Sequence, residues 1–460
     1  MDYILDLTSK ISSLLWDWPM VIVLFGVHIY LTIILKFPQR YVFKGIALSM
    51  KSDGGHGDVS QFGALSTALA ATIGTGNIVG VATAVALGGP GAVFWCWLVG
   101  IFAISTKYAE GLLSVRYRVH KPNGTIVGGP MYVLERGLGK KWLGVLFAVF
   151  AVIATFGIGC TVQANAISTM FSNVLHVSPF MTGSLVAGLV ALVIFFGVKG
   201  ISKVCTMLVP VMAVFYILGC FMLLFINRDF VPDAIALIVK SAFTSTAAGG
   251  GFIGATVMIA MRFGIARGLF SNESGMGSAP IVAAAASTRN SVRQALVSAS
   301  GTFWDTVIIC AITGIVLVSG VLASHGTIDT SCSAMLTAKV FQQLPLGGDL
   351  ILTISLFTFA FSTILGWSYY GEKCVEYLFS KKAKTIFRIA MVVMAFIGTV
   401  VDLTLVWNFA DIANALMTIP NIIALVCLHK VLVRETRHFL WEKHLDEYDK
   451  TINEGPSDKQ

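Results

Sequence analysis

Eleven runs of apolar residues, each about as long as a membrane is thick, recur along this sequence. They cover 19–36, 63–86, 91–113, 142–174, 181–198, 204–226, 252–287, 296–322, 349–378, 385–402 and 406–429. A hydrocarbon core of about 30 Å takes roughly 20 helical residues, and lipid offers a backbone no hydrogen bonds, so such runs must fold as helices that satisfy themselves. The expected class is an all-α integral membrane protein with 11 transmembrane helices, seated in the cell (inner) membrane. Charged residues are only 12% of the 460, against about 25% in a soluble domain. The net charge of +8 falls in short clusters between the runs, without the basic patch and interleaved aromatics that mark nucleic-acid binding. It reads as topology, with the bilayer as the expected partner.

Lysine and arginine in alternate loops set the orientation. One side holds Lys36 to Lys51, Arg116 to Lys141, Lys199 with Lys203, Arg289 with Arg293, Lys373 to Arg388 and the C-terminal tail, 25 of the 32 basic residues; the other holds Lys10, Arg228, Lys240 and Lys339. The N-terminus is therefore expected outside and the C-terminus in the cytoplasm. Before the first run, "MDYILDLTSKISSLLWDW" carries three aspartates and one lysine, the reverse of a signal peptide's basic start, so that run is expected to stay as an anchor. Runs 2 to 6 and runs 7 to 11 form two sets of five. Five is odd, so the second set enters the membrane from the opposite side, as an inverted repeat. The chain divides into 1–62, an N-terminal helix and first cytoplasmic loop; 63–230, the first five-helix repeat; 231–435, the second, with extracellular lid helices; and 436–460, a cytoplasmic tail.

The opening run of each set is interrupted at its middle, by "TIGTGNIVG" (72–80) in one and by "RGLFSNESGMGSAP" (267–280) in the other. Each glycine costs a helix about 1 kcal/mol relative to alanine. Gly80 suits a small-residue packing seam equally well, but an amide such as Asn77 at bilayer depth needs partners that a seam does not require. Paired interruptions of this kind point to a transporter's substrate site. The N–H groups that start an outgoing half-helix attract an anionic group, and the carbonyls that end an incoming one attract a cation. In the second run Phe270, Ser271 and Asn272 would supply carbonyls, Gly275, Met276 and Gly277 a turn rich in N–H groups, and Ser271 or Asn272 a cap. The glycine spacing does not fit a dinucleotide fingerprint, since no strand precedes it.

The stretches "ATIGTGNIVGVATA", "GGPGAVFW", "RGLFSNESGMGSAP" and "FAFSTILGWSYYGE" (359–372) together resemble the alanine or glycine:cation (sodium) symporter family, over roughly residues 17–435. The resemblance implies a leucine-transporter-type fold, a 5+5 inverted repeat with one extra N-terminal helix. It also implies sodium-driven import of small neutral amino acids, alanine or glycine, with Na+ as the co-transported ion. By position it places Thr75, Gly76 and Asn77 at the substrate carboxylate, Phe270 and Ser271 near the ammonium, and Trp367 as the lid of the pocket. Sodium would bind the carbonyls of Ala70, Ile73 and Gly74 and the hydroxyls of Ser362 and Thr363. From the residues alone, those hydroxyls can equally bond back to their own helix.

Other polar residues at membrane depth carry further expectations. Gln163 either ties helices together or contacts substrate. Glu273 reads as an acid in the first turn of the outgoing half-helix, paired with Arg267; its alternative role is proton coupling. Asp305 and Arg262 are taken as a mutual pair, and Lys107 with Glu110 as a helix-surface pair. Phe270, Met276 and Trp367, if they meet, leave room only for a ligand the size of glycine or alanine. The eight cysteines (96, 160, 205, 220, 310, 332, 374 and 427) show no C-x-x-C pair and read as free core thiols. No two histidines have metal-ligand spacing. Residues 234–246 and 333–343 are expected as short outside helices, the second of them a lid, and the last twenty residues as a solvated, partly disordered tail. No nucleophile and base converge within the runs, so an enzyme is not expected.

Overall fold

The structure, a computed structural model, describes residues 2–122, 124–245, 252, 255–330, 333–345, 347–379, 381–401 and 404–453. Cys332 and residues 454–460 of the tail lie outside them. Among the described residues eight helices are long and apolar enough to cross a membrane: Asp6–Ile34, Gly91–Arg116, Lys141–Leu175, Gly197–Ile226, Ser291–Ala323, Gly348–Leu378, Lys382–Val400 and Asn408–Cys427. Gln61–Thr72 with Gly76–Gly88 makes a ninth, bent by 52° at its break. The chain is a multi-pass membrane protein. The two remaining runs form shorter pieces: Pro179–Ile194 is one apolar helix, and 252–287 yields Val257–Asn272, an irregular stretch from Glu273 to Ala279, and Pro280–Ala283.

Helix starts follow local side-chain chemistry. Ser60, Ser178, Thr256 and Asn290 each turn a side-chain oxygen onto an N–H of the helix that follows, satisfying a donor that the first turn leaves free. Helices then approach closely where side chains are small, as membrane packing requires. A Cβ on Gly366 would lie 2.7 Å from Ala71 N, so the helix Gly348–Leu378 rests directly on Gln61–Thr72. A Cβ on Gly159 would lie 2.5 Å from Trp367 Cβ, which fixes that indole. Around Gly80 nothing lies within 4 Å of such a carbon, so Gly80 is not a packing seam.

The loops that carry most of the basic residues meet on one face. There the hairpin Val119–His120 with Ile126–Val127, the first loop and residues 284–290 interlock. Asp58 N and Ser287 N exchange backbone bonds with Ala285 O and Val59 O, and the buried Asp53 pairs with Arg293 at 2.7 Å. On the same face Glu376 takes Lys121 at 2.6 Å and Lys384 at 2.5 Å. The tail departs from the sequence expectation. Residues 437–441 form a wide helical turn, and the chain beyond it lies along this face. Asn290 donates to the carbonyls of Leu445 and Glu447, and Arg293 bonds Asp446. Arg118, 4% exposed, donates to the carbonyls of His56, Ala284, Ala286 and Ile452. Burial pulls its guanidinium down to about 10, so it stays cationic at neutral pH. Composition suggested disorder because the tail has little apolar surface of its own; the body supplies its partners instead.

Six of the described cysteines are buried free thiols and Cys427 is exposed. The short helices expected at 234–246 and 333–343 appear as Val231–Phe243 and Ser333–Phe341.

Replacing Arg118 by Met keeps its apolar stem and removes the donors that join three loops to the tail. Hydrogen bonds to a charged group are worth about 1.5–3 kcal/mol each. The variant is expected to unfold at a clearly lower temperature in detergent, and an unchanged midpoint would count against this role.

Candidate functional site

The helix Gln61–Thr72 stops because Ile73 leaves helical geometry for φ −75°, ψ 92°, and the chain resumes as a wide, π-helical turn from Gly76 to Gly80. Asn77 holds the gap. Its Oδ1 accepts from Gly74 N at 2.9 Å, and its Nδ2 donates to Asp305 Oδ1 at 2.7 Å. Gly74 must be glycine here, since a Cβ would sit 2.5 Å from Thr363 Oγ1. Thr75 N donates to Gln163 Oε1 at 3.4 Å, so Gln163 faces the break, and its amide nitrogen anchors on Ile158 O at 3.1 Å.

Four uncharged oxygens converge beside this gap. Ser362 Oγ lies 3.2 Å from Ala70 O and Thr363 Oγ1 lies 3.5 Å from Ile73 O. Both hydroxyls also bond back to Phe359 O, so the local reading and the cross-helix reading both describe them. Carbonyls and hydroxyls with no carboxylate among them suit a monovalent cation, which needs little charge from its ligands.

In the second interrupted run Val257–Asn272 ends at Glu273, whose φ of +54° reverses the chain. Gly76 meets this end. A Cβ there would contact Ser271 Cα at 3.4 Å and Phe270 Cδ1 at 3.6 Å. Ser271 Oγ donates to Asp305 Oδ2 at 3.0 Å, so one buried carboxylate grips Asn77 of the first break and Ser271 of the second. Asn272 Oδ1 accepts from Ser274 N at 2.9 Å.

The N–H groups of Gly275 and Gly277 are already taken. Both donate to Glu110 Oε1 at 3.0 Å, and Asn421 Nδ2 joins them at 2.7 Å. Their φ of +91° and +86° favours glycine. This turn packs on Leu24, Pro130 and Phe147, and Met276 within it is fully buried. The anion at the second break is thus the protein's own carboxylate.

Four charge readings from the sequence are corrected. Lys107 and Glu110 are 4% and 2% exposed and lie inside the bundle, not on a helix surface, and Glu110 serves the turn at Gly275 and Gly277. Arg262 pairs with Asp17 at 2.8 Å, leaving Asp305 to the two breaks. Glu273 stands at the end of the incoming half-helix, not in the first turn of an outgoing one. It accepts from Trp367 Nε1 at 3.0 Å and Ser278 Oγ at 2.5 Å, while Arg267 shares a separate cavity with Phe270 and Asp411. For Glu110 and Glu273 spacing along the chain suggested a local partner, and the fold supplied distant ones. Asp305 and Glu110 are the residues that sequence reasoning undervalued; a carboxylate at membrane depth was the available signal.

Toward the basic face a cavity of about 20 Å³ is lined by Thr72, Lys107, Asn272 and Thr302, room for roughly one water. Toward the other face a cavity of about 410 Å³ opens between Val79, Asn165, Thr169, Asn173, Gln342 and Asp349.

Comparison with known proteins agrees with this architecture. Residues 1–453 match the model of the sodium:alanine symporter family. The sequence is 47% identical to the sodium/alanine symporter AgcS of Methanococcus maripaludis, over 95% of this chain and 98% of that one. It is 36% identical to the probable sodium/glutamine symporter GlnT of Bacillus subtilis, over 94% and 90%. Among solved structures, MhsT in complex with L-phenylalanine superposes with a TM-score of 0.57 at 17% identity, covering 82% of this chain and 90% of that one. The fold is of the leucine-transporter type.

Glu110 satisfies three buried donors, each of which costs about 1–3 kcal/mol when left alone. Glu110→Ala is expected to lower the unfolding midpoint in detergent strongly, and Glu110→Gln, which retains an acceptor, to lower it less. Equal midpoints for both variants and the wild type would show that the carboxylate does not hold the turn.

Proposed function

The chain belongs to the sodium:alanine symporter family, and on that premise we propose that it couples Na+ entry to the import of a small neutral amino acid, alanine or glycine, by alternating access. The family and the relatives named above are transporters, not enzymes. The observation that carries the reading is the convergence of Ser362 and Thr363 on the carbonyls of Ala70 and Ile73, beside two helix ends that meet at Gly76 and Ser271.

In this reading Na+ takes Ala70 O, Ile73 O and the two hydroxyls, with Gly74 open enough for Thr363 to reach them. The substrate carboxylate takes the N–H groups of Thr75 and Gly76, displacing Gln163 from its long bond, while Asn77 braces the gap from behind. The ammonium faces the carbonyl end at Phe270, Ser271 and Asn272. Glu110 occupies the N–H groups of Gly275 and Gly277, so the carboxylate has one place to go. Trp367, fixed by Gly159 and Glu273, and Phe270 against Gly76 support a small ligand. The architecture proposed is eleven spans, the last ten in two inverted sets of five, with the basic face in the cytoplasm. Coupling suffices energetically. One charge crossing about 100 mV contributes about 2.3 kcal/mol and a tenfold gradient about 1.4 kcal/mol, enough for accumulation of roughly several hundredfold.

Proteoliposomes holding the purified protein are expected to take up labelled alanine only under an inward Na+ gradient. Ser362→Ala with Thr363→Ala is expected to raise the half-saturating Na+ concentration at least about tenfold, a change of about 1.4 kcal/mol. Uptake driven by a pH gradient without sodium, and lost in Glu273→Gln, would replace this reading with proton coupling.

A further inference from the structure

The docked tail brings together residues that lie apart in the sequence. Within the wide turn Arg437–Trp441 and its end, His438 and Glu442 stand four residues apart and share a face, with Nδ1 and Oε2 at 3.7 Å. Lys443 then takes a φ of +66° and turns the chain back, so that the His444 ring stacks on His438 with centroids 5.0 Å apart. The next turn, closed by Glu447 N on His444 O, returns a carboxylate to the same place. Glu447 Oε1 lies 2.6 Å from His444 Nδ1, and Glu447 Oε2 lies 3.5 Å from His438 Nε2. One ligand atom each from His438, Glu442 and His444 falls within 4.8 Å of the others.

We infer that His438, Glu442 and His444, with Glu447 bonded to His444 beside them, form a site for a divalent transition-metal ion of the zinc type on the docked tail. Two imidazoles and one carboxylate match the nitrogen and oxygen donors of a zinc site with three protein ligands, at about 2.0–2.2 Å, the fourth position being left to water. Imidazole favours zinc, nickel or copper over magnesium or calcium. Glu442 and Glu447 together also balance the charge of a divalent ion. The three side chains are partly exposed, 43% to 51%, so small rotations can draw the ligand atoms onto one ion. Sequence spacing concealed the site, since the histidines are brought together by the reversal at Lys443 and not by one helix.

The position gives the ion a consequence. Glu447 O and Leu445 O accept from Asn290, and Asp446 pairs with Arg293, so the segment that would ligate the metal is also the segment clamped to the start of the helix Ser291–Thr302. An ion that joins His438 to His444 closes the 438–444 loop and, through Glu447 on His444, holds the tail against the body.

The test is a Zn2+ titration of the full-length protein in detergent by calorimetry, together with tryptic digestion at Lys443 and Lys450. One Zn2+ per chain is expected, bound at least about tenfold more weakly by His438→Ala with His444→Ala, and Zn2+ is expected to slow cleavage in the wild type only. Should that variant not fold, Glu442→Gln with Glu447→Gln must weaken Zn2+ to a similar degree. Equal affinity in wild type and variant, absence of binding below millimolar Zn2+, or equal protection from trypsin would leave an ordinary surface cluster of imidazoles and carboxylates and overturn the site.

Discussion

A helix broken inside a membrane releases donors and acceptors into a medium that has none to offer in return, and the rest of this structure is arranged around that debt of partners. Two breaks face each other near Gly76 and Ser271. At the second, the released N–H groups of Gly275 and Gly277 close on Glu110. At the first, Asn77 closes part of the gap itself, and Ser362 and Thr363 reach the carbonyls that remain. The reading proposed above places between these ends a ligand that carries opposite charges.

Asp305 makes the two breaks into one unit. It accepts from Asn77 on one side and from Ser271 and Thr306 on the other, so neither half-helix can shift without disturbing a bond to a shared carboxylate. A buried carboxylate held by three donors is costly to leave half satisfied. Movement at the site is therefore most economical when both breaks move together against the helices that carry Ser362 and Gln163.

The positions of both interruptions were legible in the sequence, because an amide among several glycines in an apolar run is more than a packing seam requires. The apolar runs and the family resemblance were legible for the same reason: both are written in long contiguous stretches. Charge partners were not. Lys107 and Glu110, three residues apart, looked like a helix pair, yet Glu110 serves residues 165 and 167 positions away. Arg262 and Asp305 looked like complementary strays, yet each had a nearer partner in space. The number of spans also exceeded what single helices show, since a proline-led short helix and a twice-interrupted run do not reach across alone. Composition misjudged the tail, because it counts what a segment brings and not what its neighbours provide.

The clasp on the basic face sets a timetable for making the protein. Arg118 Nε waits for Ile452 O across 334 positions, and Asn290 waits for Leu445 and Glu447. A membrane protein enters the bilayer helix by helix as it is synthesised, so every span can be in place while this face is still unfinished. Until Leu445 to Ile452 have been made, the first loop, the hairpin and the loop at 284–290 lack their last common partner. A chain that stops before Leu445 would thus have its spans inserted and this face unclasped.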